Sequence, residues 1–309
     1  MKQRNEETIG LVMVTAVMVY WGFTTILQKH ALLYMSSTTY IMLRFLIAAL
    51  LILPVYWNQL RKSATKSTVR HGCILGFLQL IPMEASVLAL KYTTAANSVF
   101  ISRLSFIFVP LIQCLLRRKY PDRKLLITIA ALLLGLSIFA DVWNTGIGPG
   151  DLYCILSALF TSLHILCTKH FSRTDCGELL GVFQVFFCAL FSIPVWLAAP
   201  GTVQWCAGSI SNLFFTGVIG TAVCFVAHVA GQARISPTKS SFLGLLQPIF
   251  AMVGGAVIVD ELGHLEPITA NMLIGSAVIL AALILFLAPE GGLSTFFKRA
   301  KKHPEDTTP

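Results

Sequence analysis

The sequence predicts an all-α polytopic membrane protein, with ten transmembrane helices arranged as two inverted five-helix repeats. Three observations carry that expectation. Hydrophobic residues make up 56% of the 309 and charged residues only 12%, where a soluble domain carries about 25% charged residues. The apolar residues fall in runs of about 20, the length of helix that crosses a bilayer core of about 30 Å. Finally, the pair Lys29–His30 that closes the first run returns as Lys169–His170 at the end of another, 140 residues later.

Windows bounded by charge, Pro or Gly place the spans in order. The first, 9–28, follows "MKQRNEETIG" and is too long for a signal-peptide core, so it is expected to remain as a helix. The second, 38–57, runs out toward Arg61 and Lys62. The third and fourth, 69–90 and 95–116, are joined by a tight turn around Lys91, and the fourth stops at Arg117–Arg118. The fifth, 124–141, follows a basic loop. The sixth, 150–168, ends at the second Lys-His pair. Spans 178–198, 211–231, 238–259 and 268–288 complete the set, and a basic tail, "FFKRAKKHPEDTTP", closes the chain. Short loops make sequential helices antiparallel neighbours and leave no room for an extramembrane domain.

The net charge of +9 is distributed as a membrane protein distributes it. Eighteen Lys and Arg residues fall in loops and termini on the side of the N-terminus, against Lys29 and Lys91 on the other. That asymmetry places both termini in the cytoplasm of a plasma (bacterial inner) membrane protein. Nucleic acid is not expected as a partner, because no separate domain carries the basic residues. The tail is expected to touch anionic lipid. Six of the eight cysteines lie inside apolar runs, and neither CxxC nor a Cys/His ligand spacing occurs, so no metal or cofactor is expected.

Sliding residues 10–57 onto 150–197 aligns the two Lys-His pairs and sets Pro54 on Pro194. Near an offset of 143, "KYTTAANSVFISRLSFIF" falls on "RISPTKSSFLGLLQPIFA". Each half then holds five spans. Five is odd, so the second half must begin on the opposite side of the membrane, which is the inverted repeat of alternating-access transporters. The expected units are 1–145, 146–290 and a tail, 291–309.

Several stretches resemble the EamA family of the drug/metabolite transporter superfamily. They are the Trp21–Gly22 of "VYWGFTTILQ", then "ALKYTTAANSVFISRLSFIFVPLI", and more clearly "ARISPTKSSFLGLLQPIFAMVGGAVIVDELGHLEPITANMLIGSAVILAALIL" with Pro248, Glu261 and Gly275. The resemblance implies two five-helix repeats and a secondary transporter, an exporter of amino acids or related small polar or amphipathic metabolites. The first repeat departs from the pattern, with Arg117–Arg118 where Glu261 ends the second.

Ionisable groups inside a span are costly and mark function by default. Arg44, Glu84 and Arg103 fall at a similar depth, roughly 9–12 Å below the outer ends of their helices at about 1.5 Å per residue. Two readings stay open for them. One is a buried ion pair, Glu84 with Arg103, that locks helices together. The other is a substrate site whose excess positive charge grips a carboxylate bidentately. Glu84 is also the candidate for coupling transport to protons. The inner half offers His164, Gln184, His228 and Gln247, each either an interhelical polar contact or a pathway residue. Lys239 reads as a cytoplasmic anchor or a pathway lining. An intramembrane enzyme would need a set such as His-Glu-x-x-His, and "GHLEP" has a single His. A purely structural membrane protein has no use for an inverted repeat or for three ionisable residues at one depth.

Overall fold

The computed structural model describes residues 2–89, 92, 101–142, 150–258, 265 and 267–288. Among them lie ten helical segments and no strand beyond one isolated bridge, Met35 with Val203. The first residues of the fourth expected span, the 145/146 boundary, Glu261 and the tail fall outside the described residues.

Helix α1 (Lys2–Tyr34) is longer than its apolar run. A charge closes a hydrophobic window without closing a helix, because long basic side chains reach out to the interface. Helix α2 (Ser37–Ser63) starts at Ser36, whose hydroxyl accepts the Thr39 N–H and satisfies one of the orphan donors of the first turn. Helix α3 (Lys66–Ala89) follows, then α4 (Ser105–Arg117) and α5 (Arg123–Phe139), the last capped by Asp122. The second half gives α6 (Asp151–Phe171) and α7 (Gly177–Ala198). Helix α8 (Ala207–Arg234) is α-helical at both ends and π-helical between, over Phe214–Val223. Helix α9 (Pro237–Val257) breaks after Leu243 and resumes at Leu246, and α10 (Ala270–Leu287) starts at the Thr269 cap.

The packing follows the inverted repeat. Like helices meet across it: α2 lies on α7, α4 on α9, and α5 on α10. Unlike pairs come in matched sets. Helix α3 packs on α6 and α7 as α8 packs on α1 and α2, and α4 packs on α6 as α9 packs on α1. The fourth helix of each half is interrupted near the same point. Residues 101–102 are helical, the chain turns at Arg103–Leu104 and α4 begins at Ser105, while α9 breaks at Gly244–Leu245. Broken helices at the interface of inverted repeats are where transporters expose backbone and polar groups to a cavity.

Small residues set the closest approaches. A Cβ on Gly72 would sit 2.2 Å from Phe183 Cβ, so α3 and α7 meet there at backbone distance. Gly22 presses in the same way on Phe250 of α9, and a Cβ on Gly275 would strike Gly135 O of α5 at 2.6 Å. The interior holds two large apolar clusters, one around Phe45 and Phe225 between α2, α7 and α8, the other around Phe106, Phe242 and Ile279. Large apolar side chains also cover the outside, among them Leu115, Ile127, Leu152 and Ile284. In water such a surface is a liability; in lipid it is the required one.

Candidate functional site

A cavity of about 320 Å³ lies between the two halves. Its walls come from the second half of α1, the first half of α2, the second half of α3 and the turn before α4. Helices α6, α8 and α9 of the other half complete it. Arg44, Arg103, His164, His228 and Gln247 face it directly; Glu84, Gln184 and Lys239 do not.

Arg44 is 3% exposed. Its Nε donates to Thr221 Oγ1 at 2.9 Å and its Nη1 to Gln28 Oε1 at a long 3.5 Å. The guanidinium also lies over the Tyr40 and Phe45 rings, 5.5 and 5.9 Å from their centroids, an arrangement that favours a cation. Its site is shaped by the π-helical stretch of α8. Thr221 Oγ1 donates to Thr216 O, five residues back, at 2.7 Å. Tyr20 Oη donates to Phe215 O and Trp21 Nε1 to Gly220 O, so side chains of α1 take up carbonyls of this stretch. π-helical backbone is rare and is found frequently at functional sites.

Arg103 sits at the turn before α4 and donates through Nη2 to Gln247 Oε1 at 2.9 Å, just beyond the break in α9. It does not join Glu84. No ion pair links them, and Glu84 Oε1 is buried without a hydrogen-bond partner. The sequence left a Glu84–Arg103 pair open, but Arg103 reaches across the repeat interface to Gln247 instead.

His164 Nε2 donates to Gln184 Oε1 at 2.7 Å, and both side chains are buried. Gln184 thus stands behind the cavity wall and orients a residue in it, while its own Nε2 has no partner. His228 accepts from Gln232 Nε2 at 3.2 Å and meets Trp21 edge-on, with centroids 4.9 Å apart. Ser86 and Ser157 both donate to Pro82 O, at 2.7 and 3.1 Å, so α3 and α6 are tied together at the cavity wall.

Lys239 belongs to a different place. It pairs with Glu7 on the face that carries the N-terminus. There Arg234 of α8 donates to Glu6 of α1 at 3.1 Å and to Glu178 of α7 at 2.8 Å, and Lys169 Nζ reaches Ala233 O at 2.6 Å. On the same face Asp175, in the α6–α7 turn, accepts from Thr68 Oγ1 at 2.6 Å and faces His71 Nδ1 at 2.7 Å. Burial alone would raise the Asp175 carboxyl. Hydrogen bonds from Thr68, His71 and Thr174 outweigh it and hold the group below the usual carboxylate range.

Sequence reasoning singled out Arg44, Arg103, His164 and His228 with two of their partners, Gln184 and Gln247, but not Gln28, Thr221 or Gln232. Gln28 and Thr221 carry no charge to flag them, and Glu6, Glu7, Glu178 and Arg234 read as ordinary helix-end charges. The available signal was the alternation of antiparallel spans, which brings the starts of α1, α7 and α9 and the end of α8 to one face.

The sequence profile of the EamA-like transporter family matches residues 8–140 and again 148–288. The chain belongs to the EamA-like transporter family. An uncharacterized transporter of Archaeoglobus fulgidus is 25% identical over 282 residues, covering 90% of this chain and 84% of its own length. The uncharacterized transporter YyaM of Bacillus subtilis is 22% identical over 291 residues, covering 88% of this chain and 92% of its own. A crystal structure at 14% identity superposes with a TM-score of 0.72 over 95% of this chain and 98% of the other, which establishes a shared fold. The EamA profile repeats across the two halves that pack on each other with inverted symmetry. This member is an integral, multi-pass membrane transporter with a small-molecule substrate.

Proposed function

We propose that this EamA transporter is a secondary exporter of small polar or amphipathic metabolites such as amino acids, working by alternating access of units 1–145 and 146–290. One observation carries the reading: the cavity lies between the halves, and both of its arginines donate across the interface. Arg44 and Arg103 belong to the first half; Thr221 and Gln247, which accept from them, belong to the second. A volume of about 320 Å³ is at the small end of metabolite sites, which run from about 300 to 1,000 Å³.

Further support comes from the face of the N-terminus. Its ion pairs join α1 to α7, α8 and α9, so the halves are tied together there. The positive loop charge assigns this face, with both termini, to the cytoplasm. Protons are the proposed coupling ion and Glu84 the proposed carrier, because its buried Oε1 has no hydrogen bond to compensate a charge.

Purified protein in proteoliposomes, loaded with a panel of small metabolites with and without a proton gradient, tests the reading. Gradient-driven flux is expected for wild type and is expected to vanish in Glu84→Gln at normal expression. Flux that still follows the pH gradient in that variant would remove Glu84 from the mechanism. A panel with no flux at all would remove transport of this substrate range.

A further inference from the structure

Charge is the clearest property of the cavity wall. Arg44 and Arg103 both face the cavity, and none of its described lining residues is Asp or Glu. A cation inside a span is ordinarily balanced by an acid on a neighbouring helix. Among the described residues the acceptors are all neutral, Thr221 and Gln28 for Arg44 and Gln247 for Arg103. Glu84, on α3, is not among the lining residues and forms an ion pair with neither arginine. Nη2 of Arg44, and Nε and Nη1 of Arg103, have no acceptor among the described residues.

We propose that the substrate is a small organic anion, held by its carboxylate and lacking an ammonium group. This rests on the transporter reading above and narrows it to the anions among those metabolites, setting amino acids aside. Two guanidinium groups offer planar pairs of N–H donors that match a carboxylate and repel a second cation. An amino acid brings both charges. Its ammonium would enter beside two like charges in a site of low dielectric, where repulsion is least screened. The amide oxygens next to the guanidiniums, Gln28 Oε1 and Gln247 Oε1, are already occupied by them. The rest of the wall mixes hydroxyl, amide and imidazole groups, among them Ser102, His164 and Gln232, with an aromatic part formed by Trp21, Tyr40 and Phe225, which suits the hydrocarbon or aromatic body of such an anion. An anion that neutralises the arginines also lowers the electrostatic cost of carrying them through a conformational change, so the loaded carrier moves more readily than the empty one.

Two series of matched shape separate charge from size. One is 3-phenylpropionate, phenylalanine and 2-phenylethylamine; the other is 4-methylpentanoate, leucine and 3-methylbutylamine. Ligand-induced thermal stabilisation of the purified protein is measured for each, beside uptake into proteoliposomes above pH 7, corrected with protein-free vesicles. In each series the acid is expected to bind at least tenfold more tightly than the amino acid, and the amine not at all. Arg103→Gln is expected to lose tenfold or more of the acid's affinity. Arg103→Lys, which keeps the charge, is expected to retain part of it, and its unliganded melting temperature shows whether it has folded. An amino acid or amine that binds as well as its acid would overturn the anion proposal while leaving transport standing. Binding of none of the six would also overturn it. Tight binding of an acid with no flux of any compound would overturn the transporter reading and leave the anion site intact.

Discussion

Arg44 Nε donates to Thr221 Oγ1 at 2.9 Å, a bond from the first half of the chain into the π-helical stretch of the second. Thr221 in turn donates to Thr216 O, the carbonyl five residues back. One hydroxyl therefore serves both the guanidinium and the unusual backbone. Thr221→Val keeps the shape and removes both bonds. A hydrogen bond to a charged group contributes about 1.5–3 kcal/mol, and an acceptor lost from a buried charge costs at the upper end. Thr221→Val is expected to lower stability by about 2 kcal/mol, and Thr221→Ser to hold it within about 0.5 kcal/mol by keeping the hydroxyl. Thermal melts of the two variants check this. Equal melting temperatures would mean that the hydroxyl contributes nothing.

The Arg103–Gln247 bond changes the expectation for the nearby acid. Were Arg103 the partner of Glu84, removing both would restore what removing one destroys. Since Arg103 donates to Gln247 at 2.9 Å and Glu84 Oε1 has no partner, the effects of Arg103→Ala and Glu84→Ala are expected to add within about 0.5 kcal/mol. Arg103→Ala and Gln247→Ala share one bond and are expected to couple by about 1 kcal/mol or more. Melting temperatures across the two double-mutant cycles measure both quantities. Strong coupling in the first cycle and none in the second would return Arg103 to Glu84.

Much of the fold was legible in the chain because its signal is local. Runs of about 20 apolar residues place helices without knowledge of their neighbours, and the Lys29–His30 and Lys169–His170 pairs with Pro54 and Pro194 reveal the repeat. The site was legible in its in-span arginines and in the polar His164, His228 and Gln247. The π-helical stretch of α8 has no sequence signature, since its carbonyls are satisfied by Tyr20, Trp21 and Thr221 only after folding. Gln28 drew no notice because it is the last residue of the expected span, 9–28, whereas α1 continues to Tyr34. The tight turn expected between the third and fourth spans makes Glu84 a candidate partner for Arg103, while the acceptor it finds is 144 residues away.

Asp175 gives the protein a pH-dependent tie between its halves. It joins the α6–α7 turn to Thr68 and His71 of α3, and the His71 ring stacks on Phe171 at 4.0 Å. Its folded-state pKa is depressed. A depressed acid contributes stability that is fully present above its unfolded value of about 3.9 and is lost as pH falls through the lower folded value. Asp175→Asn is therefore expected to cost about 2 kcal/mol at neutral pH. Its gap to wild type is expected to hold down to about pH 5 and close below about pH 4. Melting curves of both proteins from neutral to acid pH test the sign. A gap that widens on acidification, or is absent at neutral pH, would refute it.

If the two halves alternate as proposed, the ion pairs on the face of the N-terminus are expected to favour closure on that side. Arg234 holds Glu6 of α1 and Glu178 of α7 together, and Lys239 holds Glu7. These side chains are partly exposed, with Arg234 26% and Glu6 53% accessible. Each pair alone therefore contributes no more than about 1 kcal/mol. Arg234 serves two acids on two helices, so its removal acts on a network. Arg234→Ala is expected to shift the balance between the two open states by about 1–2 kcal/mol, roughly a five- to thirtyfold change in population. Salt should produce part of the same shift in wild type by screening. Ser241→Cys, in the cavity wall contributed by α9, reports the change in a background without the native cysteines. Membrane-impermeant maleimide applied from the N-terminal face should label it several times faster when Arg234→Ala is added. Glu178→Gln should act in the same direction and more weakly, because it leaves Arg234 with Glu6. Labelling from that face at an unchanged rate in both variants would show that these charges decorate the surface without controlling access.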